Sequence, residues 1–230
     1  MPLYMISERE SSVLDTIIRD YVTSAVPVSS KRVLDIAELQ LSPASIRSIM
    51  ADLEDAGYIL QPHTSAGRVP TQKGYRFFVD NLMEAESSLP QKVEARIRAA
   101  ESVREGLKAI AEETHVCVIA VLPEYDMPTN FGLANLFQEP EFGNEGVAAQ
   151  FGKLIDAMLE QHHVYANAVR QTGFGIFIER ENMLPEARSA SVIVSLLAGR
   201  RGMLCAVGPT RMNYERLAKL LRLSASILEP

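Results

Sequence analysis

The sequence predicts an α+β protein in two parts: a winged helix-turn-helix over residues 1–89, and over residues 90–230 a small domain with a mainly antiparallel sheet, opened by a long linker helix. Three observations carry this. Ser42-Pro43 opens a short helix in which Ile46, Ile49, Met50 and Leu53 recur at helical spacing. Directly after it, Tyr58–Leu60 and Arg68–Pro70 are short apolar runs flanking the polar stretch His63–Gly67, the pattern of a hairpin. Beyond His115 the texture changes: Val116–Leu122 is a continuous apolar run rich in β-branched residues, which suits a buried strand.

The first part opens with a capping box, Ser7 and Glu10, before a helix with the stripe Val13, Leu14, Ile17, Ile18 and Tyr21, expected to run to about Ser24. Ala25-Val26-Pro27-Val28 breaks it. Ser29 or Ser30 caps a second helix through Val33, Leu34 and Ile36, and a turn over Glu38–Leu41 leads to the third. Three short helices with a tight turn between the second and third match helix-turn-helix spacing. The third cannot stand alone at that length and needs the others to cover its apolar face. Gly57 sits where a left-handed residue ends a helix. Thr71 caps a further helix carrying Tyr75, Phe77 and Phe78, with helical pattern to about Glu86.

Ser87-Ser88-Leu89-Pro90 reads as the linker. Pro90 then starts a long helix to about Glu113, with Val93, Ile97, Ala100, Val103 (or Arg104), Leu107 and Ile110 on one side. A dimer contact and core packing within one chain account for that stripe equally well. Pro123–Pro128 reads as a loop, Asn130–Pro140 as a helical turn and Gly146–His163 as a helix. Gly175–Glu179, Ala190–Leu197 and Met203–Val207 read as strands, the last two joined by the turn Gly199–Gly202, and Asn213–Leu228 as a terminal helix.

The net charge of −6 does not advertise a nucleic-acid binder, but distribution matters more than the total. Between Ala25 and Val79, Lys31, Arg32, Arg47, Arg68, Lys73 and Arg76 balance Asp35, Glu38, Asp52, Glu54 and Asp55 almost evenly. The chain start, MPLYMISERE, lacks a basic region followed by an apolar one, and no apolar run reaches membrane-spanning length, so neither a leader nor a membrane partner is expected. Cys117 and Cys205 lie in apolar runs and read as small buried hydrophobes in a reduced cytoplasm, with a disulfide or metal pair as the minor alternative. His63, His115, His162 and His163 show no metal-ligand spacing, and no catalytic Ser, P-loop or dinucleotide glycine motif is present, so no enzyme, metal or cofactor is expected. Arg211, near a helix start, offers an anion contact, but a capping turn built by Thr210 and Asn213 is the better reading.

The expected interface is with double-stranded DNA. The N-terminal part of the third helix enters the major groove in this motif, and Ser42, Ala44, Ser45, Arg47 and Ser48 lie off its apolar stripe. Arg47 is the expected base reader, because a guanidinium can bond guanine O6 and N7 together; the alternative is an ion pair with Asp52 or another surface acid. Ser29, Ser30, Lys31 and Arg32 start the second helix and suit phosphate contacts, with a solvated helix end as an equal alternative. His63, Thr64, Ser65 and Arg68 form the wing, which can rest against phosphate or in a minor groove; for His63 a capped turn is nearly as good an account. Gly67 is read as serving turn geometry.

The wording LSPASIRSIMADLEDAGYILQPHTSAGRVPTQKGYRFFVD closely resembles the hallmark of the heat-inducible transcription repressor HrcA family. Asn130–Phe142 (NFGLANLFQEPEF) and Gly202–Tyr214 (GMLCAVGPTRMNY) resemble two further segments of that family. The resemblance implies a GAF-like second domain serving dimerisation and regulation. It also implies a cytoplasmic repressor that binds an inverted-repeat operator upstream of chaperone genes as a homodimer, is kept active by a GroE-type chaperonin and is released on heat stress. Only a few residues separate Leu122 from Asn130, where the family carries further strands and an inserted subdomain, so a compact member with a trimmed GAF-like sheet is expected. The alternative is a winged-helix regulator whose GAF-like domain senses a small molecule.

Overall fold

A computed structural model describes residues 6–37, 41–83, 91–100, 102–122, 127–197 and 202–227. The chain divides into two compact units, Met1–Glu84 and Ala85–Pro230. The expected linker Ser87–Pro90, the turn residues Glu38–Gln40, Pro123–Asp126 in the expected loop and Gly199–Arg201 lie outside the described residues.

In the first unit, α1 (Glu8–Ser24) starts at the reciprocal cap: the Glu10 N–H donates to Ser7 Oγ and the Ser7 N–H to Glu10 Oε2. Its Val13, Leu14, Ile17 and Ile18 are fully buried. Ser29 caps α2 (Ser30–Ile36) by accepting the Arg32 N–H. Ser42 caps α3 (Pro43–Asp55), whose Ile46, Met50 and Leu53 are buried while Ile49 is half-buried. Each such cap stabilises its helix by about 1 kcal/mol. Gly57 follows in the left-handed region, φ 77°. The strands β1 (Ile59–Leu60) and β2 (Val69–Pro70) pair antiparallel over two residue pairs.

The segment after α1 does more than break the helix. Val28 pairs with Arg68, each N–H donating to the other's carbonyl at 2.8 Å, which adds an isolated β-bridge at the base of the hairpin. Gly67 exists because of this pairing. A Cβ there would sit 2.5 Å from the Val28 carbonyl and 2.6 Å from the Pro27 oxygen, so close backbone approach rather than turn geometry selects glycine. Thr71 caps α4 (Gln72–Phe77), which continues into a π-helical turn, Phe78–Leu82. The helical pattern expected to Glu86 therefore ends at Leu82 within the described residues.

In the second unit, the single long helix expected from Pro90 to Glu113 is two helices, α5 (Gln91–Arg98) and α6 (Val103–Thr114). Ser102 accepts the Glu105 N–H and caps α6, and the two helices pack against each other with Arg96 paired to Glu112. A hydroxyl that caps a new helix competes with continuing the old one, and folding back covers Val93 and Ile97, which a straight helix would leave exposed. Of the stripe expected on that helix, Val93, Ile97, Leu107 and Ile110 are buried within this unit and Arg104 is exposed.

The sheet contains β3 (Cys117–Val121), β4 (Thr129–Phe131), β5 (Phe174–Ile178), β6 (Ala190–Leu196) and β7 (Met203–Pro209), in the order β4-β3-β7-β6-β5, with every described pairing antiparallel. The expected helical turn from Asn130 to Pro140 is instead β4, then α7 (Leu133–Leu136) and a 3-10 turn, Pro140–Gly143. Three residues are too few to show a period, so only pairing with β3 reveals the strand. Gly132, at φ 90°, makes the turn between β4 and α7, and a Cβ there would meet the Val116 oxygen at 2.5 Å.

α8 (Glu145–Gln161) ends two residues before the expected His163, and α9 (His163–Ala168) follows it. Phe151, Leu154, Ile155 and Met158 of α8 and Tyr165 of α9 share one core with Cys117, Ile119, Val192, Val194, Cys205 and Val207. The alternate residues Val118, Ala120, Ile193, Leu204 and Ala206 are buried outside that core, where α6 and α10 (Tyr214–Ile227) pack on the sheet. Burial on both faces explains why these strands read as continuous apolar runs. Among the described residues no helix is long and apolar enough to cross a membrane.

Candidate nucleic-acid interface

The sequence-selected residues fall on three places in the first unit: the starts of α2 and α3, and the turn between β1 and β2. Ser29, Lys31, Arg32, Ser42, Ala44, Arg47, Ser48, His63, Thr64 and Ser65 are exposed; Ser30, Ser45 and Arg68 are half-buried. α2 packs on α3, and α3 runs directly into the hairpin. The opening of α3 presents hydroxyls and a cation without acidic side chains in its first turn. Its free N–H groups and helix dipole favour an approaching anion. Ser42 accepts the Ser45 N–H, and the two hydroxyls share a 2.9 Å bond.

The cations in this unit divide sharply by partner. Arg32 is held by Asp20 of α1, its Nη2 2.8 Å from Oδ1, and that hydrogen bond and charge raise its pKa from the ordinary value. Arg76 pairs with Asp80. Lys73 donates to the Ala56 oxygen at 2.7 Å and lies over the Tyr58 ring. Among the described residues no carboxylate pairs with Lys31 or Arg47. Arg47 Nε donates only to the Pro43 oxygen of its own turn, at 3.2 Å, so the ion pair with Asp52 that competed with the DNA reading is not formed.

Arg68 is placed differently from the other turn residues. Its Nε and Nη2 both lie 2.8 Å from Glu54 Oε2 on α3. Glu54 Oε1 accepts the Gln61 N–H at 3.0 Å, and Gln61 Nε2 donates to the oxygens of Thr64 and Ala66, at 3.1 and 2.9 Å. Sequence reasoning missed Glu54 and Gln61. The bonds of Glu54 reach seven and fourteen residues along the chain, and those of the Gln61 side chain lie within a turn rather than a helix, so no helical spacing flagged either residue. At His63, the carbonyl accepts the Ala66 N–H and closes the turn, which leaves the imidazole exposed.

In the second unit the two other resemblance segments meet. Arg211, from GPTRMNY, donates to Glu139 and Glu141, from QEPEF, and Glu139 also bonds His115 Nδ1 at 2.9 Å. Burial disfavours the Arg211 charge, but the bonds to Glu141 and Glu139 outweigh it and lift its pKa above the ordinary value. The anion this arginine binds is therefore the protein's own. Asn213 caps α10 by accepting the Arg216 N–H; Thr210 donates to Glu179 rather than capping. Cys117 and Cys205 are free and buried; burial pushes the Cys117 thiol up to about 12 and that of Cys205 higher still. Among the described residues no cluster of His, Cys, Asp and Glu could hold a metal ion.

Comparison with known proteins gives a family match. A family model described as HrcA protein C terminal domain matches residues 74–218. The heat-inducible transcription repressor HrcA of Geobacter sulfurreducens is 40% identical over 221 residues, covering 85% of this chain and 62% of that protein. Proteins of the same name from Symbiobacterium thermophilum and Chlorobium phaeobacteroides are 41% identical over 130 residues and 57% over 86, covering 53% and 37% of this chain and 38% and 24% of theirs. The chain thus spans at most 62% of the length of these relatives. A solved structure described as a hypothetical protein at 2.2 Å resolution shares the fold with a TM-score of 0.77 at 19% identity, over 96% of this chain and 97% of the other. With the family model matched across most of its length, from α4 to α10, the chain belongs to the HrcA family.

Proposed function

We propose that this chain is a cytoplasmic transcriptional repressor of chaperone genes that binds an inverted-repeat operator as a homodimer and is released on heat stress. Membership of the HrcA family carries this reading, since its matched relatives bear the name heat-inducible transcription repressor. In this reading residues 1–89 are a winged helix-turn-helix: α3 enters the major groove, the start of α2 rests on phosphate, and β1–β2 is the wing. Arg47 reads a base, while Ser42, Ala44, Ser45 and Ser48 line the same face. Ser29, Ser30, Lys31 and Arg32 position the backbone, and His63, Thr64 and Ser65 meet the flanking groove, with Arg68 behind them. The exposed Arg47 guanidinium, with no acid on it among the described residues, supports that assignment. A two-fold dimer reads an inverted repeat because both have the same symmetry. Residues 90–230 are then a GAF-like dimerisation and regulatory domain, with a GroE-type chaperonin as the partner that keeps the repressor active.

A mobility-shift titration on the family's inverted repeat and on a scrambled duplex, across temperature and with or without chaperonin, tests this. The expected result is a specific complex at moderate salt that is lost on heating and recovered with chaperonin; no preference for the repeat sinks the reading. A second reading, small-molecule sensing by the second unit, draws on an open groove of about 310 Å³ lined by Ala166, Asn167, Arg170 and Leu196. It requires a metabolite that raises the melting temperature and changes operator affinity.

A further inference from the structure

We propose that Glu54 is a positioning residue for operator recognition: it clamps the hairpin tip to α3, so that both meet one DNA duplex in fixed register. The proposal rests on the DNA-binding reading above. A hairpin of two residue pairs is too short to hold its own tip. From Gln61 to Gly67 no strand pairing is present, yet the segment is tied down at both ends by one carboxylate. Glu54 Oε1 takes the Gln61 backbone N–H on the outgoing side, and Oε2 takes the Arg68 guanidinium on the returning side. Gln61 then passes the constraint to the tip through its bonds to the Thr64 and Ala66 carbonyls. Glu54 is on the same helix as Arg47, two turns further on, so the base reader and the tip residues His63, Thr64 and Ser65 share one rigid support.

An acid beside a DNA-binding face is a cost by charge alone, since it repels phosphate. Simple electrostatics therefore predicts that Glu54→Gln tightens binding to every duplex. The clamp predicts the opposite for the operator. Its affinity falls about tenfold, the scale of a lost charge-assisted hydrogen bond, while non-specific affinity holds or rises. The salt slope stays that of the parent, because no phosphate contact is removed. Gln61→Ala, which keeps the backbone bond to Glu54, gives a smaller loss of the same sign.

The experiment measures operator and scrambled-duplex affinity at several salt concentrations for the parent, Glu54→Gln and Gln61→Ala, with hydrogen exchange of the Gln61 amide followed in the free parent and in Glu54→Ala, which unlike glutamine leaves no acceptor for that N–H. Support is a reduced specificity ratio in both Glu54→Gln and Gln61→Ala, together with Gln61 exchange about tenfold faster in Glu54→Ala and unchanged protection of α1. An unchanged or improved specificity ratio overturns the proposal, as does unchanged Gln61 exchange in Glu54→Ala. If the parent itself shows no preference for the repeat, the DNA reading falls and the clamp's role in recognition falls with it, while the exchange result reports separately whether Glu54 holds the tip.

Discussion

Two arginines near helix starts meet opposite fates in the two units. Arg47, in the first turns of α3, is exposed and, among the described residues, bonds the backbone of its own helix. Arg211, three residues before α10, has a side chain 9% exposed and is bound by two glutamates some seventy residues away in sequence. Residue type and local setting are alike; what differs is whether the fold supplies a carboxylate. The second unit neutralises its cation to join two distant segments. The first leaves Lys31 and Arg47 without a carboxylate among the described residues. Overall charge, at −6, hides this division entirely.

That contrast can be broken from either side. The largest effect is expected from Arg211→Ala. It leaves Glu139 and Glu141 together without their cation and destabilises the second unit by about 2–4 kcal/mol, less than a fully buried pair because both carboxylates are partly exposed. Urea unfolding measures this, and a change below about 0.5 kcal/mol would place Arg211 with the ordinary surface pairs. Next comes Gly67→Ala. Its Cβ would press on the Val28 backbone, so the first unit loses about 1–3 kcal/mol through forced separation of the Val28–Arg68 pairing, while the second unit is untouched. Faster amide exchange at Val28 and Arg68 is the expected signature. Lys31→Ala, at an exposed cation with no carboxylate among the described residues, should leave stability within about 0.5 kcal/mol. It should also weaken all duplexes alike and lower the salt slope by about one unit.

What could be read from sequence follows the same division between local and distant causes. The caps at Ser7, Ser29, Ser42 and Thr71 are visible because each acts within three residues of its own position. The apolar stripes of α1 and α3 and the runs of β3, β6 and β7 are visible because burial imposes a period or a continuous run. The break between α5 and α6 is not, because apolar spacing continues through Ala100 and only the fold-back shows that Ser102 begins a new helix. The Val28–Arg68 bridge, the reason for Gly67 and the strand β4 depend on a partner elsewhere in the chain. At the candidate site, exposure of Arg47 and Ser48 follows from their phase on α3. The engagement of Arg32 by Asp20 and of Arg68 by Glu54 does not, since those partners lie 12 and 14 residues away.

The most direct measurement is operator affinity of Arg47→Ala beside the parent, over a series of salt concentrations, with the melting temperature recorded for both. If Arg47 is the cation left for DNA, affinity for the inverted repeat falls about 10- to 100-fold, discrimination against the scrambled duplex shrinks, and the melting temperature is unchanged. If affinity and its salt dependence are the same as the parent's, α3 is not the helix that reads the operator.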